Sequence, residues 1–100
     1  MSSQRFFSNN TGEQVQRVIN AINQKGIDIT GDYYQWRDIG AAIAKEFGEQ
    51  GRSYFHEVSR FYPGYTQKET DRQYDACTKM RSFNIGTFFH IAKKYGVDIF

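Results

Sequence analysis

The sequence predicts an all-α fold, a compact bundle of about five short helices. Apolar residues recur at intervals of three and four, polar capping residues precede most of these runs, and no alternating strand pattern of useful length occurs. One hundred residues with 39% hydrophobic content suffice for one core and are too few for two ordinary domains. We therefore expect one helical domain over residues 13–100, preceded by a flexible tail or linker end over residues 1–12.

A first amphipathic helix is predicted from Thr11 to about Gly26. Thr11 and Gln14 have the spacing of a capping box, in which two side chains satisfy backbone N–H groups of the first turn. The apolar residues that follow at i, i+3, i+4 and i+7 are Val15, Val18, Ile19 and Ile22. We expect this face to lie on the core and Gly26 to end the helix.

A second helix is predicted between Asp32, which forms a capping box with Gln35, and Gly48, which marks its end. The residues that fall on one side at 100° per residue are Tyr33, Trp36, Ile39, Gly40, Ile43 and Phe47. Gly40 lies in the middle of this side, where a missing side chain lets another backbone come close. We interpret it as a packing glycine.

Three shorter helices are predicted in the second half of the chain. The third starts at Gly51 and is closed by the turn at residues 62–64, which holds the only proline. The fourth runs from a capping box, Thr66 with Glu69, to about Arg81, and the fifth spans residues 85–95. Their inward residues are Tyr54, Phe55 and Val58; Thr70, Tyr74, Cys77 and Met80; and Phe88, Ile91, Ala92 and Tyr95. Among the aromatic residues we expect Tyr33, Trp36, Tyr54 and Phe55 to be buried.

Residues that carry catalysis or hold metals are scarce. Cys77 is the only cysteine, and with only His56 and His90 beside it no zinc-ligand spacing can be assembled. We interpret Cys77 as a buried structural thiol rather than one half of a catalytic Cys–His pair, and His90 as a neutral surface histidine. No glycine-rich phosphate loop or local Ser-His-Asp arrangement occurs. We therefore expect no enzymatic activity, no metal and no cofactor.

The chain shows no targeting or membrane signal. No apolar run approaches the roughly 20 residues that span a bilayer, and no basic segment followed by an apolar stretch stands at the N-terminus. We expect a cytoplasmic protein without a membrane partner. Phe6 and Phe7 in the polar tail are expected to fold back onto the core, with docking on a partner as the alternative.

Basic residues are concentrated in the second half of the chain. Residues 1–50 carry five basic and six acidic side chains, net −1, whereas residues 51–100 carry eight basic and five acidic, net +3. The basic residues of the fourth helix, the connection and the fifth helix are Lys68, Arg72, Lys79, Arg81, Lys93 and Lys94. If these two helices pack as an antiparallel pair, their outer faces join into one positive strip suited to a phosphate backbone. The alternative is a solvated face that only keeps the domain soluble.

The turn after the third helix offers a second kind of surface. Its aromatic residues Phe61, Tyr62 and Tyr65 are the ones least committed to the core, and they are suited either to stacking on unpaired bases or to docking on a protein. Arg52 and Arg60 flank the third helix. Each either clamps phosphate or pairs with Glu49 or Glu57, and we favour pairing.

Several motifs occur together in one order along residues 13–98. They are Tyr34-x-Trp36-x-x-Ile39-Gly40-x-Ala42-Ile43-Ala44, Phe55-x-x-x-Ser59-Arg60, Tyr65, and Thr87-Phe88-Phe89-x-x-Ala92-Lys93-x-x-Gly96. In spacing and order this set resembles the primase C-terminal domain of the second type. In that family the domain looks like an accessory helical unit that follows a primase-polymerase domain, often beside a helicase, in proteins of bacterial mobile elements and phages. Because only about a dozen residues precede the first helix here, we expect a fragment of such a protein or a free-standing relative.

The resemblance implies a role in DNA replication. Among the matched polar residues, Ser59, Arg60, Thr87 and Lys93 are the ones placed to touch a partner, although Thr87 alternatively caps the last helix. Our first hypothesis is a non-catalytic module that assists priming by contacting single-stranded or primer-template DNA. The alternative is a docking domain that couples a primase to a helicase or another replication partner. A regulatory enzyme subunit with its own active site is the remaining class.

Overall fold

The computed structural model describes residues 10–98, and these residues form helices and connections without a strand. The elements in chain order are α1 (Thr11–Lys25), α2 (Tyr33–Phe47), a 3-10 helix (Gly48–Gly51), α3 (Arg52–Ser59), α4 (Gln67–Cys77) and α5 (Ile85–Lys94). The predicted all-α class is confirmed. The predicted domain start at residue 13 falls inside α1, and the prediction for Phe6 and Phe7 lies outside the described residues.

The centre of the bundle is α2, which packs against α3, α4 and α5. Six consecutive residues of α2, from Ile39 to Ala44, are buried, because neighbours cover this helix on several sides. A Cβ atom on Gly40 would lie 2.7 Å from the sulfur of Cys77 and 3.0 Å from the ring of Phe55. Gly40 is thus a packing glycine, as predicted, although side chains rather than a backbone make the close approach.

Local capping explains where most helices begin. Asp32 accepts hydrogen bonds from the N–H groups of Tyr34 and Gln35, and Thr66 accepts one from Glu69, so both predicted capping residues are confirmed. The return bonds of a capping box, from the side chains of Gln35 and Glu69, are not formed within the described residues. The prediction for α1 was wrong by one residue, because Asn10, not Thr11, caps its first turn. Asn84 caps α5.

The ends of α1, α2 and α5 agree with the glycine pattern, since Gly26, Gly48 and Gly96 follow them with positive φ angles, whereas α4 ends earlier than predicted. Gly26 and Gly48 have φ angles of 63° and 61°, which an L side chain rarely adopts. Helix α4 ends at Cys77 rather than at Arg81. The hydroxyl of Thr78 donates to the carbonyl of Asp75, a local side-chain bond typical of a helix end.

Burial confirms the predicted apolar faces with two exceptions. Phe55 is fully buried, and Trp36 and Tyr54 are half-buried against the core. Tyr33 is 55% exposed, because it is the first residue of α2 and lies outside the buried stretch of that helix. Tyr95 was predicted to face inward but is 40% exposed, since α5 ends at Lys94 and the helical period no longer directs it.

Candidate functional site

An open cleft lies where the start of α2, the end of α3 and the start of α4 meet. Its volume is about 220 Å³, and we call it the aromatic cleft because four aromatic side chains line it: Tyr33, Trp36, Tyr62 and Tyr65. The remaining lining residues are Thr30, Gly31, Ser59, Gly64, Thr66, Glu69 and Thr70. Tyr33 and Tyr62, 55% and 45% exposed, present ring surface to solvent at this cleft.

Hydrogen bonds hold two of the aromatic walls in place. The indole Nε1–H of Trp36 donates to the hydroxyl of Ser59 at 2.9 Å, and the indole ring stacks on Phe55 with 5.6 Å between ring centroids. The hydroxyl of Tyr65 lies 2.7 Å from Nδ1 of His56, whose Nε2 lies 2.7 Å from a carboxylate oxygen of Asp71. Both walls are therefore oriented before any ligand arrives.

The turn between α3 and α4 positions Tyr62, the third aromatic wall of the cleft. The N–H of Tyr65 donates to the carbonyl of Tyr62 at 2.9 Å, which closes a four-residue turn with Pro63 and Gly64 in its middle. A Cβ atom on Gly64 would lie 2.7 Å from the ring of Tyr62. The sequence signal for this turn was correct, and the missing side chain of Gly64 gives the ring its position.

Three buried hydroxyl groups line the cleft between the rings. Thr30 and Thr70 donate their hydroxyl hydrogens to Asp28 and to the carbonyl of Thr66, so their oxygens retain acceptor capacity. Ser59 is 2% exposed and accepts from Trp36, while its own O–H donates to no residue within the range 10–98. The cleft thus offers a hydroxyl donor beside several acceptors, among them the carboxylate of Glu69.

An ion cluster around Arg52 fastens α4 to α3 behind the cleft. The Arg52 guanidinium contacts the carboxylates of Glu49, Asp71 and Asp75 and lies 5.0 Å from the ring centroid of Tyr74. Hydrogen bonds from His56, and then from Arg52, lower the pKa of Asp71, and the Arg52 hydrogen bond lowers the pKa of Glu49. The predicted pairing of Arg52 with Glu49 is confirmed, whereas Asp71 and Asp75 were not anticipated.

The cationic residues predicted to bind nucleic acid are exposed, but the two helices that carry most of them do not pack as a pair. All seven are exposed: Arg60, Lys68, Arg72, Lys79, Arg81, Lys93 and Lys94. Helices α4 and α5 each pack on α2 and make no contact with one another over the described residues, because α2 occupies the centre. The condition for one continuous positive strip, an antiparallel pair of these two helices, is therefore not met, and Lys79 lies in the turn after α4 rather than on its face.

Arg60 does not form the ion pair that we expected from the sequence. Arg60 donates to the side-chain oxygen of Asn23 at 2.7 Å, and its guanidinium carbon lies 4.8 Å from the ring centroid of Phe61. The predicted partner Glu57 is not involved. Phe61 is half-buried against the core, which leaves Tyr62 as the most exposed of the three predicted docking residues, with Tyr65 half-buried in the cleft wall.

Two further predictions concern single residues. Cys77 is buried, and this burial raises its pKa to about 11, as befits a structural thiol. Thr87 does not cap α5, since Asn84 accepts from the N–H of Gly86 at 2.9 Å.

No group of three or more His, Cys, Asp or Glu residues within 10–98 is arranged to hold a metal ion. Within the same range no helix has the length and apolar character needed to cross a membrane.

Sequence reasoning missed most of the cleft. The helical period predicts Tyr33 in the core, and no local pattern links the hydroxyl residues Thr30, Ser59 and Thr70, which are far apart along the chain. The one available signal was the Phe61–Tyr65 aromatic turn, which does contribute two walls.

Residues 18–92 match the family described as primase C terminal 2, PriCT-2, which covers most of the chain. No curated protein and no solved structure matches the chain. The matched range starts within α1 and ends within α5, so it takes in every wall of the aromatic cleft.

Proposed function

The chain belongs to the primase C terminal 2 family of primase-associated C-terminal domains, and from this premise we propose that it is a non-catalytic accessory domain that assists priming by contacting single-stranded or primer-template DNA. In this proposal the domain holds the template near a primase and performs no chemistry itself. The partners are DNA and the primase or helicase domain with which the module works.

The observation that supports this proposal is that most of the candidate cationic side chains have no bonding partner among the described residues. Five of the seven candidate residues form no hydrogen bond or ion pair through their side chains within residues 10–98: Lys68, Arg72, Lys79, Arg81 and Lys94. The sixth, Lys93, lies 3.8 Å from Asp98, a long contact for an ion pair, and the seventh, Arg60, bonds a neutral amide. Arg52, by contrast, is surrounded by three carboxylates. The candidate cations therefore keep their charge available for phosphate groups.

The placement of these cations suits a flexible strand. Some of the cations lie on or after α4 and others on α5, and both helices pack on α2 without packing on each other. The cations therefore form two separate groups on one bundle. A duplex would need a continuous positive surface matched to its own geometry, whereas a single strand can bend between separate cations. This favours single-stranded DNA, or the single-stranded part of a primer-template, as the ligand.

The test is charge reversal at Lys79, Lys93 and Lys94. We expect the triple variant, with each lysine changed to Glu, to bind single-stranded DNA at least about tenfold more weakly at low salt, because phosphate contacts are lost. Each lost contact should also reduce the slope of log affinity against log salt concentration by roughly 0.7. Fluorescence anisotropy with a labelled oligonucleotide measures both quantities. The control reverses Arg17 and Lys25, which are exposed on α1, and the double reversal of Lys93 and Lys94 matches it in charge. Unchanged affinity in the triple variant, or equal losses in the two double variants, would contradict the proposed surface.

The second candidate function is docking on a primase or helicase domain. The observation that favours it is the exposed ring of Tyr62 next to the stacked pair of Arg60 and Phe61, since Tyr and Arg are the residues that anchor protein interfaces. In this case Tyr62→Ala should weaken capture of the partner domain without unfolding the bundle, and salt should have little effect. Capture that is insensitive to Tyr62→Ala would remove this candidate.

A further inference from the structure

We propose that the aromatic cleft seats one unpaired nucleobase of the bound strand, and that Glu69 selects a base with an exocyclic amine, cytosine before thymine. The proposal rests on the proposed function, because it requires that the domain contact single-stranded DNA. It adds a base-reading site to the phosphate contacts of the proposed function.

The walls and the size of the cleft fit one flat ring. Tyr33, Trp36, Tyr62 and Tyr65 line a space of about 220 Å³. A dry cavity of about 150 Å³ is known to hold a benzene molecule, so the cleft has room for one heteroaromatic ring with its substituents. Stacking of a base on aromatic side chains contributes to binding whichever base is present, which supplies the sequence-independent part of the interaction.

The polar groups of the cleft match the edge of a base. The Ser59 hydroxyl is a buried donor without an acceptor in the described part of the chain, and it can donate to a ring nitrogen or carbonyl oxygen. The carboxylate of Glu69 is exposed and has no hydrogen bond or ion pair within that part, so it can accept from an amine. Cytosine presents an N4 amine, which pairs well with a carboxylate, whereas thymine presents a carbonyl oxygen that a carboxylate repels.

The same polar groups disfavour an apolar side chain as the occupant. A phenylalanine or leucine side chain of a partner protein would cover the Ser59 hydroxyl and the Glu69 carboxylate without satisfying them, and a polar group covered in this way costs free energy. A base covers them with complementary donors and acceptors. The chemistry of the cleft therefore favours a nucleobase over an apolar anchor.

The cleft also provides its own reporter. Trp36 lines it and is the only tryptophan of the chain, so its fluorescence reports on occupancy of this site. We would titrate the protein with short dC and dT oligonucleotides of equal length at low salt, and follow Trp36 quenching together with anisotropy of a labelled strand. The expected result is quenching by both, with dC bound at least about fivefold more tightly than dT.

Glu69→Ala tests the selection step. Only the backbone N–H of Glu69 takes part in the Thr66 cap, so removal of its carboxylate leaves that cap intact. We expect the variant to bind dC and dT within about twofold of each other, because the discriminating acceptor is gone. The matched control, Glu46→Ala, removes the same charge from an exposed position on α2 outside the cleft and should keep the preference. A preference for dC that survives in Glu69→Ala, or is absent from the unmodified protein, overturns the role of Glu69.

Other outcomes separate this inference from the proposed function. Anisotropy that reports binding while Trp36 fluorescence stays unchanged means that DNA contacts the domain elsewhere: the base site fails and the DNA function stands. Absence of any oligonucleotide binding at low salt overturns both. Quenching by a phenylalanine-containing peptide, and by no oligonucleotide, reassigns the cleft to a protein partner and overturns the inference.

Discussion

At the scale of single residues, Gly40 decides how closely three helices approach. The sulfur of Cys77 and the ring of Phe55 occupy the space that a side chain on α2 would need. The close packing of α3 and α4 on α2 therefore depends on one absent methyl group, and these are the helices that bring the walls of the aromatic cleft together.

We expect Gly40→Ala to destabilise the domain by about 1–3 kcal/mol, because the added methyl group overpacks a filled core. The matched control is Gly12→Ala in the first turn of α1, where a Cβ atom would make only ordinary contacts, 3.6 Å or more from its neighbours. There we expect a gain of about 0.4–1 kcal/mol from the smaller backbone entropy of the unfolded chain. Chemical denaturation of both variants measures the difference. Equal effects at the two glycines would contradict this account of α2.

Asp71 links the cleft wall to the charge network, and it should make stability depend on pH. The hydrogen bond from His56, and next that from Arg52, lowers its folded-state pKa below that of the unfolded chain. The contribution of Asp71 is therefore complete above the unfolded pKa of about 3.9 and is lost as the pH falls through the lower folded-state pKa. Asp71→Asn should be less stable than the unmodified protein at pH 6, and the difference should shrink in acid. A difference that stays constant between about pH 5 and pH 2 in denaturation experiments would rule out this linkage.

At the scale of elements, the short range of the interactions explains which predictions succeeded. The caps at Asp32 and Thr66 involve residues two or three positions apart, so the sequence alone indicates them. Helix α4 ends at Cys77, where the hydroxyl of Thr78 donates to the carbonyl of Asp75. The apolar period continues beyond this point to Met80, so the sequence predicts a longer helix. The separation of α4 and α5 by α2 depends on the packing of the whole bundle, which no local pattern encodes.

The cap of α5 offers a direct test at this scale. Asn84→Ala should cost about 1 kcal/mol, because the N–H of Gly86 loses its acceptor, whereas Asn84→Asp should retain stability through its carboxylate oxygen. Thermal or chemical denaturation measures both variants. A larger loss in Thr87→Ala than in Asn84→Ala would restore Thr87 as the capping residue.

At the scale of the whole molecule, the bundle combines exposed cationic side chains in its second half with a cleft lined by four aromatic residues. The excess of basic residues in the second half was visible in the sequence, and so was the family resemblance, which the match over residues 18–92 confirms. The cleft was not visible, because Thr30 and Tyr33 meet Ser59 and Thr70 only in the folded chain. Sequence patterns thus predicted the helices and the charged segments, and folding was needed to show which side chains share a site.

The most direct test of the DNA role is the salt dependence of single-strand binding by the unmodified domain. With about six phosphate contacts, a fourfold rise in salt concentration should weaken binding on the order of 10²- to 10³-fold. Anisotropy titrations with labelled single-stranded and primer-template DNA at two salt concentrations measure this change. Binding that weakens to this extent is the expected result. No binding at low salt would contradict the DNA function and leave the domain as a docking module for a protein partner.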